Sequence, residues 1–143
     1  MAFLFDTDAI SELLRPQPLP IYLEWIRTIP REDQFTSAVC IGELFKGAYR
    51  SPARDRHLMN IEQRVLPAVT VLPYDVATAQ VFGELRAKLA GEGRVLADAD
   101  SQIAATALHH GLELVTGNVR HFQRIRGLRI HPILSSARQN RSQ

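Results

Sequence analysis

Four side chains stand where oxygen chemistry could be assembled: Asp6, Glu43, Asp100 and Asn118. Asp6 ends the apolar run Phe3-Leu4-Phe5 and opens Asp6-Thr7-Asp8. A strand-to-helix junction needs one carboxylate as a helix cap, and Asp6 and Asp8 compete for that role. The surplus carboxylate invites a functional reading. Glu43 has Val39, Cys40, Lys46 and Gly47 as its helical neighbours. That face is mostly small or apolar, although a pair with Lys46 is the ordinary alternative. Asp100 shares a helical face with Ile103, Ala104 and Ala107, whereas Asp98 shares its face with Ser101 and Gln102. Residues two apart point to different sides of a helix, so Asp100 is assigned to chemistry and Asp98 to capping. Asn118 follows Thr116-Gly117. Gly-Asn is also common turn chemistry. The Thr116 hydroxyl is suited to orienting a carboxylate or a water.

Three converging carboxylates repel one another, and a hard divalent cation relieves that repulsion. All-oxygen ligation favours Mg²⁺ or Mn²⁺ over Zn²⁺. Such an ion polarises phosphoryl oxygens, which points to an anionic phosphate ester as substrate. The five histidines offer no zinc spacing: His109 and His110 are adjacent, while His57, His121 and His131 stand alone. No phosphate-cradling glycine loop and no G-x-S-x-G elbow occurs. Cys40 has no nearby histidine and reads as a small core residue.

Those residues need a scaffold that brings distant segments together. Phe3–Phe5, Gln34–Ser37, Thr70–Leu72, Leu112–Thr116 and Leu128–Ile130 read as short strands. Helical spacing and breakers separate them. Pro20 sits in a helical first turn, Asp75 caps the helix carrying Phe82, Leu85 and Leu89, and Gly111 stops the alanine-rich helix 97–110. Val119–Ile125 reads as a short helix, and the tail from Ser135 reads as frayed. Strands alternating with helices predict an α/β fold whose parallel sheet is covered on both faces. Ligands of such sheets bind beyond the carboxyl ends of the strands, where Asp6 and Asn118 fall.

The chain has 143 residues, 45% hydrophobic and 22% charged, the composition of an ordinary globular domain. It reads as one domain over residues 1–134 with a flexible tail at 135–143. No apolar run approaches the roughly 18–20 residues of a membrane span. The lone Cys40 cannot form an intrachain disulfide, so the expected compartment is the cytoplasm. Eleven cations against all fifteen acids leave −4 up to Glu113, and six arginines beyond it leave +6. Fifteen of the seventeen cations are arginine, the side chain suited to forked recognition of phosphate or carboxylate. Charge alone fits a solvated basic tail equally well.

The opening Phe3-Leu4-Phe5-Asp6-Thr7-Asp8-Ala9-Ile10-Ser11-Glu12, the Ser37–Leu44 segment, the Asp98–Ala107 run and Leu114-Val115-Thr116-Gly117-Asn118 with His121-Phe122 together resemble a PIN-domain protein. The likeness is greatest to VapC-type toxins, especially the FitB-like branch, and spans Phe3 to about Leu134. Each motif is weak alone; their order and spacing are specific. The resemblance implies a three-layer α/β/α PIN-like domain with a central parallel sheet. It also implies a Mg²⁺- or Mn²⁺-dependent ribonuclease, the toxin of a toxin-antitoxin system, held by a cognate VapB-like antitoxin and usually a homodimer. The family's acidic site falls on Asp6, Glu43 and Asp100, and its fourth polar position falls on Asn118, where many relatives carry Asp. Asp8 stands where relatives commonly carry Asn. Thr116, Arg120 and Arg124 are the expected substrate-positioning groups, and Tyr22 and Trp25 the candidate antitoxin contacts. One alternative resembles haloacid-dehalogenase-like phosphatases, with Asp6-Thr7-Asp8 as an Asp-x-Asp nucleophile motif. It lacks the Gly-Thr that should follow. Another alternative keeps the PIN fold as a non-catalytic RNA-binding module.

Overall fold

The computed structural model describes residues 1–142. Five strands form one sheet: β1 (Phe3–Phe5), β2 (Gln34–Ser37), β3 (Thr70–Leu72), β4 (Glu113–Val115) and β5 (Ile130–His131). Their order is β3-β2-β1-β4-β5 and every pairing is parallel. Strand order reverses at the β1/β4 pair, the place where such sheets open a crevice.

Alternation along β1 sets the layers. Phe3 and Phe5 point into one core with Ile10, Tyr22, Leu44, Ile61 and Leu134, while Leu4 points into the other with Leu89, Ile103, Leu114 and Phe122. The first layer holds α1 (Thr7–Leu13), α2 (Pro20–Arg27), α4 (Arg54–Asn60) and α8 (Ile133–Ser142). The second holds α5 (Val76–Gly91), α6 (Asp98–His110) and α7 (Val119–Phe122). Between them, α3 (Ala38–Arg50) gives Cys40 to the second core and Leu44 and Ala48 to the first. This is the expected α/β/α arrangement around a parallel sheet.

Local signals account for most element ends. Asp6, Ser37 and Asp75 cap α1, α3 and α5 by accepting from Ala9, Cys40 and Thr78 backbone N–H groups. Pro20 opens α2, and Gly111 ends α6 at φ 64°, a left-handed position that glycine adopts without strain. Five expectations need correction. Asp98 does not cap α6; it lies in the first turn and pairs with Arg86 across to α5. The helix after Asn118 closes at Phe122, and the last strand begins at Ile130 rather than Leu128. The segment from Ser135 is helical through Ser142, because Leu134 and Ala137 bury against the first core; Gln143 lies outside the described residues. Tyr22 is fully buried and its hydroxyl donates to the Ala9 carbonyl at 2.9 Å, so it presents no surface to a partner. Trp25 remains half-buried beside Phe3 and His131.

Candidate active site

Register brings the first site residues together. Phe5 pairs with Val115, so the next residues, Asp6 and Thr116, emerge side by side from the carboxyl edge of the sheet. The Asp6 backbone N–H donates to the Val115 carbonyl at 3.2 Å. Asp6 is buried, and its Oδ1 accepts the Ala9 N–H at 2.8 Å. The Thr116 hydroxyl also bonds the Asp6 carboxylate while accepting the Asn118 N–H at 2.9 Å. Cap and candidate chemistry therefore reside in the same carboxylate. Asn118 reaches Asp6 through its backbone by way of Thr116; its side chain is exposed and does not cap α7.

Burial pushes the Asp6 carboxyl up to about 7. Thr116 and Ala9 oppose the rise, and the charges of Asp8 and Asp100 add to it. Burial also raises Asp100, with Glu43 adding to the rise and His121 opposing it. Asp6, Asp100 and Glu43 thus feel one another as a chain of like charges at one edge of the sheet. Each nevertheless keeps its own hydrogen-bonding or charge partner. The Thr7 hydroxyl donates to Glu43 Oε1 at 2.6 Å, tying the start of α1 to α3. His121 Nδ1 lies 3.8 Å from Asp100 Oδ2. Among the described residues, no three His, Cys, Asp or Glu side chains stand together as a ligating group. The expected tight trio is therefore corrected to three coupled carboxylates, each held by a separate neighbour. Their donors are all oxygen, and the like charges of Asp100 on Asp6 and of Glu43 on Asp100 still raise the proton affinity of these acids, a chemistry that suits a hard divalent cation.

Beside Glu43 and Thr7 opens a groove of about 920 Å³, walled by α1, α3 and α4. Arg15, Arg56, His57 and Arg64 line it. Arg120 is exposed on α7 beside His121. Arg124 instead lines a separate cleft with Glu84, Lys88 and Leu108.

The other surplus acid has a partner at the far end of the chain. Arg138 of α8 places Nη1 2.7 Å from Asp8 Oδ2 and Nη2 2.9 Å from Asp8 Oδ1. The same Nη2 donates to Glu12 Oε1 at 3.1 Å, and Glu12 is fully buried. Sequence reasoning identified neither this triad nor Thr7 and His121 as neighbours of the acids. Contacts across 130 and 126 residues leave no periodic trace.

The family profile described as the PIN domain matches residues 3–128. The chain belongs to the PIN-domain family. Toxin FitB of Neisseria gonorrhoeae is 35% identical over 124 residues, covering 83% of this chain and 89% of the relative. The tRNA(fMet)-specific endonuclease VapC of Shigella flexneri is 34% identical over 129 residues, covering 90% and 96%. The crystal structure of FitAcB from Neisseria gonorrhoeae superposes with a TM-score of 0.83 at 31% identity, covering 91% of this chain and 97% of that one. As a PIN domain, the chain sets aside the haloacid-dehalogenase-like reading of its opening Asp-Thr-Asp.

Proposed function

We propose that this PIN domain is a divalent-metal-dependent ribonuclease of the VapC type, the toxin of a toxin-antitoxin pair. The carrying observation is the buried Asp6 at the strand-order reversal, coupled by charge to Asp100 and through it to Glu43. Asp6, Asp100 and Glu43 are the residues that would hold Mg²⁺ or Mn²⁺. When bound, such an ion polarises the phosphodiester and lowers the pKa of an attacking water.

The chain's own groups do the rest. Thr7 fixes Glu43 toward the acidic centre, and Thr116 fixes Asp6 by donating to its carboxylate. Asn118, exposed at the rim, positions water or a phosphate oxygen. His121 sits beside Asp100 within reach of the same edge. Arg15, Arg56 and Arg64 line the groove that begins at Glu43, so an RNA strand running along it meets three guanidinium groups. Arg120, exposed on α7 beside His121, adds charge near Asp100; Arg124 belongs to the separate cleft and contributes only to the long-range field.

A VapB-like antitoxin as inhibitor follows the precedent of relatives solved as FitAB and VapBC, and the working unit of this reading is a homodimer. Among the described residues, no helix is long and apolar enough to cross a membrane. Action in the cytoplasm accords with the lone reduced thiol. Purified protein should cleave RNA with added Mg²⁺ or Mn²⁺ and leave 5′-phosphate and 3′-hydroxyl ends, as attack by water with breakage of the bond from phosphorus to the 3′ oxygen gives, and EDTA should stop it. RNA retained but uncut at saturating metal would favour the non-catalytic binding module.

A further inference from the structure

Asp8 poses a problem that the proposed chemistry does not use. It lies two residues from Asp6, and its charge is felt there. A fourth carboxylate at a cation-binding edge is a competing ligand. Yet both Asp8 oxygens are held by the Arg138 fork, at 2.7 and 2.9 Å. A fork satisfying both oxygens at once fixes the carboxylate's direction as well as its charge. The arginine is itself anchored: Leu134 and Ala137, on the same helix, are buried in the first core, and Nη2 also reaches the fully buried Glu12.

Gly117 shows how tightly this pair is seated. A Cβ added there would lie 2.1 Å from Arg138 Nη1 and 2.4 Å from Asp8 Oδ2. The ion pair therefore fills the space a side chain would take, pressed against the turn between Thr116, which bonds Asp6, and Asn118.

Building on the nuclease reading above, we propose that Arg138 is a positioning residue that sequesters Asp8 and so keeps a fourth carboxylate out of the acidic site. The C-terminal helix is then part of the working unit. Arg138 acts through Asp8 and touches neither substrate nor ion.

The test compares wild type with Arg138→Gln, Asp8→Asn and the double variant, using Arg141→Gln on the same helix as a control. Three quantities are read: kcat and KM on an RNA oligonucleotide, Mn²⁺ affinity by calorimetry without RNA, and Tm. With Asp8 released, Arg138→Gln should bind Mn²⁺ about threefold more tightly, through the added negative charge. Its kcat should fall about tenfold, because the extra ligand misplaces the reacting groups, while KM moves little. The double variant should regain wild-type kcat and Mn²⁺ affinity, because no fourth carboxylate remains. The Tm should fall by a similar amount in both Arg138 variants, and by more than loss of an exposed pair would give, because the fully buried Glu12 loses an arginine partner in each. A kcat loss that persists in the double variant, or Mn²⁺ affinity unchanged in Arg138→Gln, would make the pair merely structural and overturn the proposal. An active wild type matched by Arg138→Gln would sink this inference alone. A wild type that neither cleaves RNA nor binds Mn²⁺ would sink the nuclease reading with it.

Discussion

Asp6 combines two roles that pull in opposite directions. As a helix cap it accepts a backbone N–H, and as a buried acid at about 7 it resists ionisation. The unfolded chain loses this proton near the ordinary value of 3.8, whereas the folded chain holds it to about 7. The folded state thus binds more protons across that window. Stability should fall as pH rises from about 4 to 7 and level off above, and Asp100, also raised, acts in the same direction. Urea denaturation at several pH values in EDTA should show this slope, and Asp6→Asn should flatten it. Asparagine caps helices about as well as aspartate, so the variant should fold with a Tm near wild type at about pH 4 and above it at about pH 7 and higher, where the wild type carries the buried charge. Its cleavage should nevertheless drop about a hundredfold or more, since several kcal/mol of charge stabilisation are lost. A folded Asp6→Asn that still cuts RNA at the wild-type rate would exclude Asp6 from the chemistry. This residue was legible in the sequence because an apolar run ended in two carboxylates where one cap suffices. Which of the two caps was not legible. The helix begins at Thr7, which leaves Asp6 as its cap, and Asp8, inside the first turn, pairs instead with Arg138, 130 residues away.

At the level of elements, α1 and α3 share the first core through Ile10 and Leu44, and the polar link between them is the Thr7 hydroxyl, which donates to Glu43 at 2.6 Å. Thr7→Val keeps the shape and removes the donor. It should lower kcat about tenfold while changing stability by only about 1 kcal/mol, the usual net worth of one hydrogen bond. Full activity in Thr7→Val would show that Glu43 is held by other means. At the start of α3, Ser37 accepts the Cys40 N–H at 3.0 Å. Ser37→Ala should therefore reduce stability by about 1 kcal/mol, measured by chemical denaturation. Helix starts such as Pro20 and Asp75, and the stop at Gly111, were readable because capping and backbone preference are local. The fate of the segment Ile133–Ser142 was not. The segment looks polar, and only the burial of Leu134 and Ala137 against Ile10 and Tyr22 makes it a helix worth forming.

Across the whole molecule, charge is unevenly shared: eleven cations and all fifteen acids lie before the last thirty residues, and six arginines lie within them. The sequence therefore drew the eye to Arg120 and Arg124. The folded chain assembles a different set at the groove beside Glu43, where Arg15 comes from the segment just after α1, Arg56 from α4 and Arg64 from the helical segment Ile61–Val65. Linear charge counts cannot see such convergence, whereas strand alternation revealed the layered fold directly. If three arginines meet RNA phosphates, binding by the inactive Asp6→Asn protein should weaken with salt at a slope of about −2 on log axes. Adding Arg56→Gln should make that slope shallower by about 0.7. A slope untouched by Arg56→Gln would move the strand off this groove. One last feature makes the molecule's opening easy to watch. Cys40, the single thiol, is wholly buried, receives a hydrogen bond from Ser37 at 3.2 Å, and is pushed up by burial. An aromatic disulfide reagent should thus leave the native protein unlabelled and react only with molecules that have parted α3 from the sheet. One colour change per chain then becomes a clock for spontaneous breathing of the fold, readable without any engineered tag.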